Sequence, residues 1–162
     1  MITKFNRRRL LVFIATIVLL AMALLRENVF LEINAIIHQE EVNRANFYLF
    51  YDFFNSFSVE KLKIIKVFLT VLFVMIMIAL SYFIINKWFK NDKFNKITIW
   101  FYGLVTSLFV IILLTTYLLN LFDVSYFFIR KILGFIHSPI PLFLLFSLFF
   151  YLTKNKNSLK KD

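Results

Sequence analysis

The residues with chemistry beyond packing are few: His38 and His137, the carboxylates Glu40, Glu41 and Asp52, and Ser138 next to His137. A zinc or iron centre needs several His, Cys or acidic ligands at set spacings. The chain has no cysteine, no H-E-x-x-H pattern and only two histidines, far apart. Nucleophilic catalysis needs a nucleophile, a base and an orienting group facing one another. Neighbours in sequence such as His137 and Ser138 do not face each other on a helix. Glu40, Glu41 and Asp52 fall in a polar stretch where little would raise a carboxyl pKa. Gly103 and Gly134 are the only glycines, so no glycine-rich phosphate loop exists. The expectation is no catalytic residue, no cofactor and no metal.

The most specific local feature is the stretch from Arg130 and Lys131 through Gly134 to His137, Ser138, Pro139, Ile140 and Pro141. Pro139 removes the amide that would bond the carbonyl of Phe135, and Pro141 the one that would bond His137. Free carbonyls inside an apolar span call for a bend or for a break buried against protein. A bend serves packing. A break turns Arg130, His137 and Ser138 toward a shared outer cavity. Gly134 offers a point of close backbone approach.

Those residues must be positioned by a chain that is 61% hydrophobic and 17% charged over 162 residues. Soluble domains hold about 45–50% and 25%. So short a chain cannot bury that much apolar surface in a core of its own; lipid is the second solvent. Four apolar runs are long enough to span it: about 10–27, 64–87, 97–120 and 130–152. The first follows Arg7-Arg8-Arg9 in the manner of a signal peptide. No small-x-small cleavage site comes after it, which favours an uncleaved anchor. The predicted fold is all-α: one polytopic membrane domain, a four-helix transmembrane bundle with an extracytoplasmic segment at 28–63 and a basic tail at 153–162.

Charge gives the orientation. With both termini in the cytoplasm, that face holds 12 basic residues against Asp92 and Asp162. The outer face holds seven basic and seven acidic residues. The net charge of +10 thus falls on one side, as the positive-inside rule requires. A basic inner face meets anionic leaflet lipids. Nucleic acid is not expected as a partner, because the aromatic residues lie in lipid-length runs rather than on a basic stacking platform.

In the outer segment, Val29, Phe30, Ile33, Ile36 and Ile37 recur at helical spacing. The first helix therefore either continues past the membrane or bends onto its surface. Seven of the twelve residues at 46–57 are Phe or Tyr, among them Tyr48, Phe50, Tyr51, Phe53 and Phe54. So many rings need a surface: the headgroup layer, or a membrane partner or lipid-linked substrate. Ser58 with Glu60 marks an N-cap leading into the second span.

This plan resembles the small multi-span proteins found beside exosortases in Bacteroidota. The resemblance rests on Arg26-Glu27-Asn28-Val29-Phe30, the aromatic run around 48–54, and Phe127-Phe128-Ile129-Arg130-Lys131 leading to Ser138-Pro139-Ile140-Pro141. It implies a multi-pass inner-membrane protein that assists surface protein sorting or envelope export, with a larger membrane protein, an exosortase, as partner. The enzyme itself relies on a catalytic cysteine, which this chain lacks, so the resemblance implies an accessory subunit. It carries over Arg130 and the Ser138–Pro141 segment as structural or contact residues. The competing reading is a small membrane enzyme or lipid-handling protein using His38, Glu40, Glu41, Arg130 and His137 at the outer interface.

Overall fold

The structure is a computed structural model that describes residues 4–39, 49–119 and 122–158. Among these residues there is no strand, and six helices account for nearly all of the backbone: α1 (Lys4–His38), α2 (Tyr51–Asn55), α3 (Val59–Phe89), α4 (Asp92–Leu118), α5 (Phe122–Ile136) and α6 (Ile140–Ser158). Three helical stretches are long and apolar enough to cross a membrane: Arg7–His38, Val59–Phe89 and Asp92–Thr116. The molecule is an all-α, largely membrane-spanning bundle.

α1 has 35 residues and α3 has 31, or roughly 52 and 46 Å at 1.5 Å per residue against a hydrocarbon core of about 30 Å. Both therefore project well beyond the lipid. They run antiparallel, since Arg8 and Arg9 share a cleft with Lys87 and Lys90 at one end. At the other, Lys66 donates a 2.7 Å hydrogen bond to the side-chain oxygen of Asn34. α3 turns into α4 through Lys90 and Asn91 alone. Asn95 donates to Asn86 across that turn at 3.1 Å, while Phe94 stacks on Phe149 of α6 with ring centroids 4.4 Å apart. Ser58 occupies the N-cap position of α3, and Glu60 lies in its first turn, but the Ser58 side chain makes no cap bond.

Two apolar clusters follow from this layout. Val12, Ala15, Leu19, Met77, Ile84, Tyr102, Leu142 and Phe149 fill the centre of the bundle. Val29, Ile33, Phe54 and Leu62 form a second cluster where α1 and α3 project and α2 lies across them. Outside these, the long helices expose leucine, isoleucine and phenylalanine along their lengths, as lipid-facing surfaces do.

The sequence predicts a span at 130–152 that is either bent or broken at its prolines; the structure divides that stretch between α5 and α6. The chain leaves helical geometry at 137–139. The Phe135 carbonyl, which Pro139 deprives of its helical partner, accepts from the Ser138 amide at 3.1 Å and from the Ser138 hydroxyl at 2.8 Å. The Ser138 oxygen also accepts from the Ile140 amide at 3.3 Å. The first helical bond of α6 runs from the Phe143 amide to the Pro139 carbonyl at 3.1 Å. Pro141 therefore sits in the first turn of α6, where no amide is needed. This is a break with a new helix start, not a kink.

The double variant Pro139→Ala/Pro141→Ala is expected to let α5 and α6 merge. Spin labels on Phe128→Cys and Tyr151→Cys would then move apart toward the ~34 Å of a straight helix. Pro141→Ala alone should leave their separation unchanged.

Candidate functional site

Glu32 lies on the same face of α1 as Val29, Ile33 and Ile36, and its side chain is fully buried (0% exposed). Its carboxylate accepts from two consecutive backbone amides, one oxygen from Leu49 and the other from Phe50 at 2.9 Å. Phe50 is the N-cap residue of α2 and has no side-chain cap bond. Glu32 therefore caps the start of α2 from another helix.

That clamp sets the orientation of the aromatic segment. Phe54 is 6% exposed and packs with Val29, Ile33 and Leu62. Phe53 is 61% exposed, and Phe50 and Leu49 are exposed beside it. Phe53 meets Phe54 and Phe57 edge-on at 5.4 and 5.2 Å. The five aromatic residues singled out from sequence thus separate. Phe54 is core, Phe50 and Phe53 are outward-facing, Tyr51 is half-buried, and Tyr48 lies outside the described residues.

The second part of the site is a cleft of about 330 Å³ between α1, α3 and α5. Arg26, Glu27, Asn34 and Lys66 contribute its polar lining; Phe30, Leu31, Ile129 and Leu133 contribute the apolar part. The Arg26 guanidinium carbon stands 5.1 Å from the centroid of the Phe30 ring. Gly134 also lines the cleft, and a Cβ placed there would meet nothing within 4 Å. The sequence reading made Gly134 a point of close backbone approach. It opens onto space instead.

His137 does not enter this cleft. It is 1% exposed, and both ring nitrogens face backbone carbonyls. Nδ1 lies 2.8 Å from Leu133 O and Nε2 3.0 Å from Thr70 O on α3. A singly protonated ring donates to one of these, a doubly protonated ring to both. Phe30 covers it at 6.5 Å between ring centroids. Ser138 is spent on its own backbone. The shared outer cavity expected for Arg130, His137 and Ser138 therefore does not receive His137 or Ser138. Arg130 belongs to α5, and its side chain lies outside the described residues. His38 is exposed at the end of α1, while Glu40 and Glu41 fall outside the described residues.

Among the described residues, no group of three or more His, Asp or Glu could hold a metal ion. What this end of the bundle offers is recognition: a polar cleft with two cations, one carboxylate and an amide, able to bind a charged group, and an aromatic face mounted on a clamped helix. The chain matches no family, no curated protein and no solved structure.

Replacing Glu32 by Ala removes two hydrogen bonds to a charged acceptor, worth about 1.5–3 kcal/mol each. Amide exchange at Leu49 and Phe50 should accelerate at least about tenfold. Glu32→Gln keeps one acceptor oxygen and should protect one of the two amides. His137→Ala removes both ring contacts and leaves a void beside Phe30. It should lower unfolding stability in detergent by about 2–4 kcal/mol.

Proposed function

We propose that this chain is a non-catalytic subunit of a bacterial inner-membrane assembly, in which α1, α3, α4 and the α5–α6 pair act as four spans and both termini lie in the cytoplasm. Its partner is a larger membrane protein of the exosortase type, and its role is to bind and stabilise that enzyme in surface protein sorting or envelope export. One observation carries the reading: Phe50 and Phe53 are held outward on a short helix whose start is clamped by a buried carboxylate. A chain that only needed to bury these rings could have packed them like Phe54. Ordering a segment in advance lowers the entropy lost on docking. Exposed aromatic anchors on a fixed mount are the usual centres of binding energy. The one-sided positive charge supports the orientation, and the resemblance to exosortase-associated proteins supplies the class of partner.

A second reading, lipid handling at the outer interface, is favoured by the cleft holding Arg26 and Lys66. It does not depend on His137.

Phe50→Ser/Phe53→Ser should abolish co-purification with the partner while leaving protein level and melting unchanged, because both rings are exposed. Phe54→Ser should lower stability as well. Retained partner binding in Phe50→Ser/Phe53→Ser would overturn the docking role. Lipid handling predicts the opposite pattern: Gly134→Leu, whose Cβ would project into the open cleft, abolishes function while co-purification persists. The orientation is checked by labelling single cysteines in intact cells. Asn55→Cys should react with an impermeant reagent and Lys93→Cys should not.

A further inference from the structure

The opposite end of the bundle carries a second cleft, of about 380 Å³, between the start of α1 and the end of α3. Arg8, Arg9, Lys87 and Lys90 line it together with Val12 and Trp88, and no carboxylate is among the lining residues. A smaller groove adjoins on the α6 side, where Trp88 again forms a wall and Lys154 and Thr153 contribute the polar groups. Trp88 is fixed between them by contact with Phe146 at 5.4 Å between centroids.

Two features separate this cluster from an ordinary basic rim. Lys87 and Lys90 at the end of α3 suit its helix dipole, but Arg8 and Arg9 stand in the second turn of α1 and gain nothing from a helix end. Bringing them beside Lys87 and Lys90 adds like-charge repulsion. In addition, Lys90 ends α3 in left-handed geometry, with φ at 48°. Glycine adopts that conformation without strain. The fold therefore holds a strained lysine where it faces three other cations.

We propose that this cleft is a binding site for the phosphate headgroup of an anionic membrane phospholipid. The four cations meet the phosphate charge, and the Trp88 ring lies at headgroup depth, where indoles are favoured. Leu10, Leu11, Phe13 and Ile14 are exposed in the next turns of α1, so the acyl chains continue along a lipid-facing surface. Basic pockets between membrane helices are a recurrent solution for such headgroups. The proposal concerns the other end of the molecule from the docking face and stands independently of it.

The test uses the full chain carrying Trp100→Phe, which leaves Trp88 as the sole tryptophan; Trp100 is exposed and outside the cleft. It is placed in phosphatidylcholine nanodiscs with a small fraction of brominated phosphatidylglycerol or brominated phosphatidylcholine. Trp88 quenching by the anionic lipid should exceed that by the zwitterionic lipid about fivefold or more. Relocating charge with Arg8→Gln/Thr3→Arg and Lys87→Gln/Asn91→Lys keeps every segment's charge and hence its topology, and should abolish the excess. Lys87→Arg/Lys90→Arg should retain it. Equal quenching by both lipids, or an excess that survives relocation, would overturn the site.

Discussion

A backbone that leaves the helix inside a largely membrane-spanning bundle must find its hydrogen bonds within the protein wherever lipid surrounds it, because hydrocarbon offers none. The interval between α5 and α6 answers that demand with side chains from the same segment. Ser138 serves the carbonyl that Pro139 strands, and its oxygen receives the Ile140 amide. His137 spans from the Leu133 carbonyl to the Thr70 carbonyl of α3. The imidazole thus joins the broken element to the bundle at the point where both would otherwise be least constrained. Because lipid is as apolar as the side chains, packing and such polar links, rather than a hydrophobic drive, hold membrane helices together. The break is therefore also a joint.

A related logic operates outside the lipid. The projecting ends of α1 and α3 cannot rely on the bilayer to order the chain between them, so part of that order comes from Glu32. A carboxylate gathering two successive amides specifies where α2 begins and which of its rings turn inward. The division between buried Phe54 and exposed Phe53 is a consequence of that single anchor together with the Val29, Ile33 and Leu62 surface. A resting surface for aromatic rings is thereby converted into a surface with a defined shape.

The helical, lipid-immersed character of the molecule was legible in composition and run length, since those properties are local and repeated along each helix. The division at 137–139 was half legible. Two prolines at 139 and 141 announce a disturbance, but whether a helix bends or restarts depends on whether Ser138 can take up the carbonyl that Pro139 strands and on the His137 ring finding the Thr70 carbonyl on another helix. Glu32 entered the sequence reading only as one of the seven acidic charges of the outer face, and its burial was not foreseen. Its signal was present, for it falls three residues after Val29 and four before Ile36, on the apolar face of α1. Charge counting treats such a residue as solvent-facing, whereas periodicity places it inside. His137 and Ser138 were singled out with two alternatives open, a bend that serves packing or a break facing an outer cavity. Their capacity is consumed by backbone, which sequence adjacency does not reveal.

The two-residue connection between α3 and α4 bears on how the protein is made. Loop closure costs grow with the length of chain between partners, and this pair is joined by Lys90 and Asn91 alone. Asn86 and Asn95 bond across the turn. α3 and α4 can therefore leave the ribosome and enter the bilayer as one helical hairpin, its turn flanked by Lys87, Lys90, Lys93 and Lys96. α1 enters earlier and must wait for its principal neighbour, α3, to emerge. The break at 137–139 comes last. Assembly closes when newly made α6 brings Phe149 against Phe94, so the hairpin is the template on which both ends of the chain are gathered.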